Sequence, residues 1–230
     1  MAAEFLQEEP SDKWVLISHG YTGCKEEMYT YARWFYEQGY NCFLPDLRCQ
    51  GDSEGDYIGM GWTDHYDCIK WINRLVEEYP DCQIVLMCQS MGAATVNLMT
   101  GENLPKNVVA AISDCAYATT EGMMDDKCVR WFHLPTIFVD SVRIDLILRG
   151  GYDLFDSRPV DAVRNSTTPT LYIHGDLDEM VPVDSVYELY EACSAKKQLY
   201  VVEGAGHCQA KNKNPEAYYE QISGFLESID

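Results

Sequence analysis

The sequence predicts an α/β protein: a doubly wound, mostly parallel sheet with a helical lid insertion. Three observations carry that reading. Short apolar, β-branched runs alternate with longer stretches whose apolar residues recur at helical spacing. The alternation persists along nearly the whole chain, which places strands in parallel with helices on both faces. One stretch, residues 115–160, breaks the rhythm while staying rich in apolar side chains. At 230 residues the chain fits a single domain, 1–230, with room for a sizeable core.

Residues 1–12 carry no clear pattern, apart from Pro10-Ser11-Asp12 as a turn. Residues 14–18 read as a strand that runs into His19-Gly20-Tyr21-Thr22-Gly23. A glycine-bracketed loop after a strand puts backbone N–H groups at the carboxyl edge of the sheet, where ligands bind in α/β proteins. Residues 25–38 form an amphipathic helix with Met28, Ala32, Phe35 and Tyr36 on one face, ended by Gly39. A strand over 40–44 leads to Pro45-Asp46-Leu47-Arg48 and a polar loop up to Gly61. Residues 63–79 are a second helix with Tyr66, Ile69, Ile72, Leu75 and Val76 at helical spacing, stopped by Pro80.

Residues 84–88 are a buried strand, followed at once by Gln89-Ser90-Met91-Gly92-Ala93-Ala94 and a helix to about Thr100. Residues 108–114 are the next strand. The insertion then carries Met123, Met124, Trp131, Phe132, Leu134, Ile137 and Phe138, with Pro135 in the middle. It is too long for a plain connection and too apolar for a disordered one, which points to a helical lid. A strand over 170–174, a helix over 184–195 and a strand over 198–202 resume the alternation. After Gly204-Ala205-Gly206-His207, a helix over 215–229 closes the fold with Tyr218, Ile222, Phe225 and Leu226 inward.

Composition narrows the function. Thirty-seven acidic against 17 basic residues give a formal charge of −20, which argues against nucleic acid or an anionic membrane as partner. No run of 18 apolar residues suggests a membrane span, and the acidic start lacks the basic region of a secretory signal. The ten cysteines show no C-x-x-C and no zinc-like pairing. Several fall inside strands and helices, where a free cysteine acts as a small hydrophobe. Reduced thiols in a cytoplasmic protein are the expectation.

Ser90 stands between a strand and a helix, the layout of a nucleophile elbow. The turn lifts its hydroxyl out of the sheet and aims the helix N-terminus at a reacting oxyanion. Strand and helix nearly touch there, so the positions two before and two after must be small; they are Cys88 and Gly92. Asp178 and His207 each follow a strand at the same sheet edge, in the order Ser, Asp, His. A serine hydroxyl needs a base, His207, and the imidazole needs an acid, Asp178, to fix its tautomer and stabilise its charge. The Asp-x-x-Val-Pro spacing to Pro182 favours Asp178 over Asp176, which is assigned to bracing the turn. Oxyanion donors are assigned to the backbone N–H groups of Tyr21 and Met91. His19 is read as a brace for the loop that holds Tyr21, Asp114 as a turn residue with a spare acid as the alternative, His65 and His133 as incidental with the lid as the alternative for His133, and Cys88 and Cys208 as buried filler, the alternative being thiols beside the site that make activity sensitive to oxidation or thiol reagents.

Five segments in order resemble the α/β-hydrolase superfamily, in the group of serine hydrolases with an HGYTG-type loop and a short helical cap. They are His19-Gly20-Tyr21-Thr22-Gly23, Pro45-Asp46-Leu47-Arg48, Gln89-Ser90-Met91-Gly92-Ala93-Ala94, the stretch from His174 to Pro182, and Glu203-Gly204-Ala205-Gly206-His207. The resemblance implies the α/β-hydrolase fold and carboxylesterase, lipase-like or S33-peptidase-like chemistry without a cofactor. It departs from the group's pattern in three places. Cys88 replaces a smaller residue, Cys49-Gln50-Gly51 stands where Gly-His-Gly is common, and few residues precede the first loop, where one or two antiparallel strands are usual. The expected activity is hydrolysis of small or aromatic acyl esters, with Trp131, Phe132 and Phe138 lining an apolar pocket. An S33-like aminopeptidase or amidase is the alternative, with Glu121, Asp125 and Asp126 as candidate anchors for a substrate amine. A non-catalytic binder of the same fold is the third reading. The sequence leaves the oligomeric state open.

Overall fold

In the computed structural model, which describes residues 1–7 and 11–229, the apolar runs become strands of one seven-stranded sheet. Pro10 of the expected turn lies outside the described residues. The strands are β1 (Ala3–Leu6), β2 (Lys13–Ser18), β3 (Asn41–Pro45), β4 (Gln83–Gln89), β5 (Val108–Asp114), β6 (Thr170–Gly175) and β7 (Lys197–Val202), in the order β1-β3-β2-β4-β5-β6-β7. Every pairing is parallel except β1 with β3. The helices are α1 (Tyr29–Glu37), α2 (Trp62–Glu78), α3 (Met91–Thr100), α4 (Thr120–Arg130), α5 (Ile137–Gly150), α6 (Pro159–Ala162), α7 (Asp184–Ala192), α8 (Ala210–Lys213) and α9 (Pro215–Glu227).

Parity along the strands divides the core in two, because successive side chains point to opposite faces of a sheet. Trp14, Leu16, Ile84, Leu86 and Cys88 face one side, with Ile72 of α2, Val96 of α3 and Leu189 of α7. Val15, Ile17, Val85 and Met87 face the other, with Phe35 of α1 and Ile222 and Phe225 of α9. Strands covered on both faces have no polar side to display, which is why β2 and β4 read as unbroken apolar runs. α3 is buried on every side, so its small residues Gly92, Ala93 and Ala94 let it lie close to the sheet.

Three expectations need correction. Residues 3–6, read as patternless, form the antiparallel edge strand β1, paired from Ala3↔Pro45 to Leu6↔Cys42. A four-residue, half-covered edge strand is too short for its alternation to stand out. The helix expected over 25–38 opens with a 3₁₀ turn, Lys25–Met28, before α1. Its inner face carries Tyr31, whereas Tyr36 sits at the rim of the apolar stripe and is 39% exposed. In α2, Tyr66 lies opposite the face that buries Cys68, Ile72 and Leu75, and is 45% exposed. That buried face also holds Asp64 and His65, whose polarity hides it from a hydrophobicity reading.

Between β5 and β6 the chain builds α4, α5 and α6. The Thr119 hydroxyl caps α4 by accepting from the Gly122 N–H at 3.0 Å. Gly151, in the left-handed region at φ 71°, closes α5. Among the described residues no helix is long and apolar enough to cross a membrane.

Candidate active site

Ser90 has φ 55° and ψ −120°, a conformation that L-residues enter only under constraint. The constraint is visible on both sides. Its N–H donates to Asp114 O at 2.8 Å, and its carbonyl accepts the Ala94 N–H at 3.0 Å, the first bond of α3. A Cβ on Gly92 would stand 2.5 Å from His19 O and 2.8 Å from Ser18 O, so only glycine lets α3 press against the end of β2. Cys88, paired with Ser18 across β2 and β4, is fully buried and fits the second tight position. A Cβ on Gly20 would stand 3.2 Å from Ser90 Cβ, so the backbone before Tyr21 lies directly beside the hydroxyl.

The structure brings Ser90, His207 and Asp178 into one hydrogen-bonded chain. Ser90 Oγ lies 2.8 Å from His207 Nε2, and His207 Nδ1 lies 2.7 Å from Asp178 Oδ2. The Asp178 carboxylate is itself held: its Oδ1 accepts the N–H groups of Met180 and Val181, both at 2.8 Å. Burial favours the neutral acid, but hydrogen bonds from His174 and His207, the His207 charge and the Val181 N–H outweigh it. They hold the Asp178 carboxyl well below the usual carboxylate range. Burial likewise opposes a charged His207, but its hydrogen bonds to Asp178 and Cys208 and their charges raise it above the ordinary histidine value.

Glycine also positions the histidine. A Cβ on Gly175 would stand 2.2 Å from Ala205 O, so the end of β6 lies against the loop that carries His207. Asp176 accepts the Gly204 N–H at 2.6 Å and braces that same loop; it does not reach His207. His19 is buried, with Nδ1 2.8 Å from Gly20 O and Nε2 accepting the Leu47 N–H at 3.0 Å. It ties the Tyr21 loop to Pro45-Asp46-Leu47-Arg48. Asp46 accepts from the Lys25 N–H at 2.7 Å, the Lys25 ammonium at 2.8 Å and the Asp52 N–H at 3.0 Å. A side chain on Gly51 would collide with it, which accounts for the glycine in Cys49-Gln50-Gly51.

Two residues do more than the sequence suggested. His174, read only as the last strand residue, places Nε2 2.9 Å from Val181 O and 3.2 Å from Asp178 Oδ2. The signal was its spacing, four residues before Asp178. Asp114, expected as a turn residue, is fully buried and accepts from the Tyr218 hydroxyl at 2.9 Å, which joins β5 to α9. Cys88 is an inert filler, as read, its thiol pushed up by burial. Cys208 is not: it is half-buried, with Sγ 3.5 Å from the Cys115 sulfur. His65 is buried with Nδ1 3.3 Å from Gly61 O, and His133 occupies the α4–α5 turn at φ 55°; neither reaches Ser90.

A cavity of about 570 Å³ opens on Ser90. Tyr21 and Met91 line it at the serine, and Trp131, Phe132 and Phe138 line it from the α4–α5 segment. Among the described residues Glu121, Asp125 and Asp126 do not line it. Asp126 pairs with Lys127 at 2.7 Å and Arg130 at 3.4 Å, and Glu121 lies 3.7 Å from Arg158.

A doubly wound sheet with a serine on a strained strand-to-helix turn, facing an apolar cavity, defines a serine hydrolase of the α/β-hydrolase fold. The chain belongs to the family described as serine aminopeptidase, S33, whose profile matches residues 9–142, and the serine hydrolase (FSH1) profile matches residues 85–214. It is 27% identical over 218 residues to the uncharacterized protein YqkD of Bacillus subtilis, covering 94% of this chain and 72% of that protein. Its fold is similar to that of the Pyrococcus furiosus esterase Pf2001, with TM-score 0.78, 23% identity, 96% of this chain and 85% of that one. It is also similar to Est1E of Butyrivibrio proteoclasticus, solved with ferulic acid bound, with TM-score 0.76, 18% identity, 99% of this chain and 94% of that one.

Proposed function

We propose that the protein is a serine carboxylesterase for small or aromatic acyl esters, with Ser90, His207 and Asp178 as catalytic triad. One observation carries the reading: Ser90, whose hydroxyl hydrogen-bonds His207 Nε2 at 2.8 Å, also lines the apolar cavity. His207 takes the proton as Ser90 Oγ attacks the carbonyl. The oxyanion accepts from the N–H groups of Tyr21 and Met91; Met91 opens α3, where the N–H groups have no partner within the helix. His207 returns the proton to the leaving alkoxide, and the acyl group stays on Ser90. Water then attacks with His207 as base, and the acid leaves. The α4–α5 segment acts as the lid, and Trp131, Phe132 and Phe138 receive the acyl group. We place the enzyme in the cytoplasm, acting on a small-molecule ester, with neither nucleic acid nor membrane as partner and with no cofactor.

The S33 family description favours a second reading, an aminopeptidase or amidase. Such an enzyme needs an anionic anchor for the substrate amine, and the acidic residues of α4 lie outside the cavity. Parallel assays on p-nitrophenyl esters and amino-acid p-nitroanilides separate the two: turnover of esters alone supports the esterase, and faster anilide turnover overturns it. A fluorophosphonate probe is expected to label the protein but not Ser90→Ala. Absence of labelling in both would mean a non-catalytic binder.

A further inference from the structure

Cys115 and Cys208 meet next to the proposed base, and nothing in the hydrolytic cycle uses either sulfur. Cys115 follows β5 directly and is 1% exposed; its N–H is fixed to Ile173 O at 2.8 Å. Cys208 follows His207 in the loop before α8 and is half-buried, so of the two residues it is the one that solvent reaches. Both residues lie in the left-handed region, at φ 53° and 58°, conformations that aim two side chains from separate loops at one point. Their sulfurs are 3.5 Å apart.

The two thiols differ in character. The hydrogen bond from Cys115 comes first in holding the Cys208 thiol below the usual range, and His207 adds to it against burial. Burial pushes Cys115 up, so it stays protonated. A thiolate beside a protonated thiol is the arrangement in which one sulfur is oxidised first and the second closes the bond. The sulfurs and a His207 ring nitrogen also lie within 4.8 Å of one another. Both ring nitrogens already engage Ser90 and Asp178, so a metal would gain only the two sulfurs without breaking that chain.

We infer that Cys115 and Cys208 form a peroxide-oxidisable pair whose disulfide reversibly switches off the neighbouring hydrolytic site. The Cys208 thiolate attacks one oxygen of a hydroperoxide; the O–O bond breaks, and water or an alcohol leaves after taking up a proton. Cys208 is then a sulfenic acid. The Cys115 thiol attacks the Cys208 sulfur, the S–O bond breaks, water leaves and the S–S bond forms. The thiol pair has lost two electrons and the peroxide has gained them. Closing a gap of 3.5 Å to bonding distance requires the two loops to shift, and one of them carries His207, so the bond disturbs the contact with Ser90. A displacement of about 1 Å at a reacting group is enough for about a 100-fold loss of rate. The loss of rate rests on the triad proposed above; the thiol chemistry does not.

The test treats the full chain with hydrogen peroxide and follows intact mass, peptide maps and ester hydrolysis together. The expected product is two hydrogens lighter, with the Cys115 and Cys208 peptides joined. Its rate is down about 100-fold, and dithiothreitol restores it. Cys115→Ala is expected to be active before treatment. Peroxide should leave it with an oxygenated Cys208, no cross-link and an activity that dithiothreitol does not restore once sulfinic acid has formed. Cross-links at other cysteines, a 115–208 cross-link without loss of rate, or recovery of Cys115→Ala like the wild type would each overturn the inference. If the untreated protein neither hydrolyses esters nor takes the fluorophosphonate, the triad has failed; the peptide map of the wild type still decides the thiol pairing.

Discussion

A carboxylate that gives one oxygen to two backbone N–H groups has only the other left for an imidazole. Asp178 is in that position, with Met180 and Val181 on Oδ1 and His207 on Oδ2, where His174 Nε2 also lies 3.2 Å away. Asp178→Asn keeps the shape but lets His207 adopt the wrong tautomer, so kcat is expected to fall about 10⁴-fold with KM little changed. Steady-state kinetics on a p-nitrophenyl ester check this. The pH profile follows from the same contacts. As the proposed base, His207 must be neutral, and its partners raise it above 6.5, so the rising limb of kcat/KM should have its midpoint above 6.5. Asp178→Asn and Cys208→Ala should each move that midpoint down. Stability has the matching signs. The lowered Asp178 contributes stability that is present above its unfolded value, 3.8, and is lost as pH falls through the folded one. The raised His207 contributes stability that is present below 6.5 and is lost as pH rises through its folded value. Urea midpoints should therefore show the pair's contribution in full between 3.8 and 6.5, and Asp178→Asn should flatten the acid side.

Elements that place a functional group against its neighbour left the clearest mark on the sequence. Gly92 must be glycine because two carbonyls crowd it, and that mechanical demand made the Ser90 turn readable beforehand. Gly175 meets the same demand under the His207 loop, but the carbonyl that crowds it, Ala205 O, comes from 30 residues further along the chain and leaves no local mark. What stayed hidden depends on side chains from distant parts of the chain. Tyr218 reaches Asp114 from α9, and Cys115 reaches Cys208 from just beyond β5, contacts that no local pattern encodes. Polar residues on buried faces, His65 and Asp64 in α2, blurred the helical period in the same way. The α4–α5 segment supplies the prediction at this scale. Phe138 lines the cavity, so Phe138→Ala should raise KM about ten-fold for benzoyl or longer acyl esters. Acetyl esters, which do not reach it, should be nearly unaffected. An acyl-length series on the two proteins is the measurement.

At the scale of the molecule, the parity of the strands was legible as apolar runs, and with it the two-sided core. The edge strand β1 was not, since half-covered edges carry no comparable signal. The chain carries 37 acidic and 17 basic residues, and like charges repel more strongly in the folded state than in an expanded chain. Raising sodium chloride from about 0.05 M to about 0.5 M shortens the Debye length severalfold, so the urea midpoint should rise. A fall would mean that specific ion pairs outweigh the general repulsion. The dihedral angles of Ser90 add a cost of their own. A backbone held at φ 55° and ψ −120° drains about 1–3 kcal/mol from the folded state. Replacing that serine by glycine should therefore yield an inert protein that melts several degrees higher, about 2–4 °C for each kcal/mol relieved. Selection for turnover and selection for endurance pull this one residue in opposite directions, and a calorimeter can measure how far.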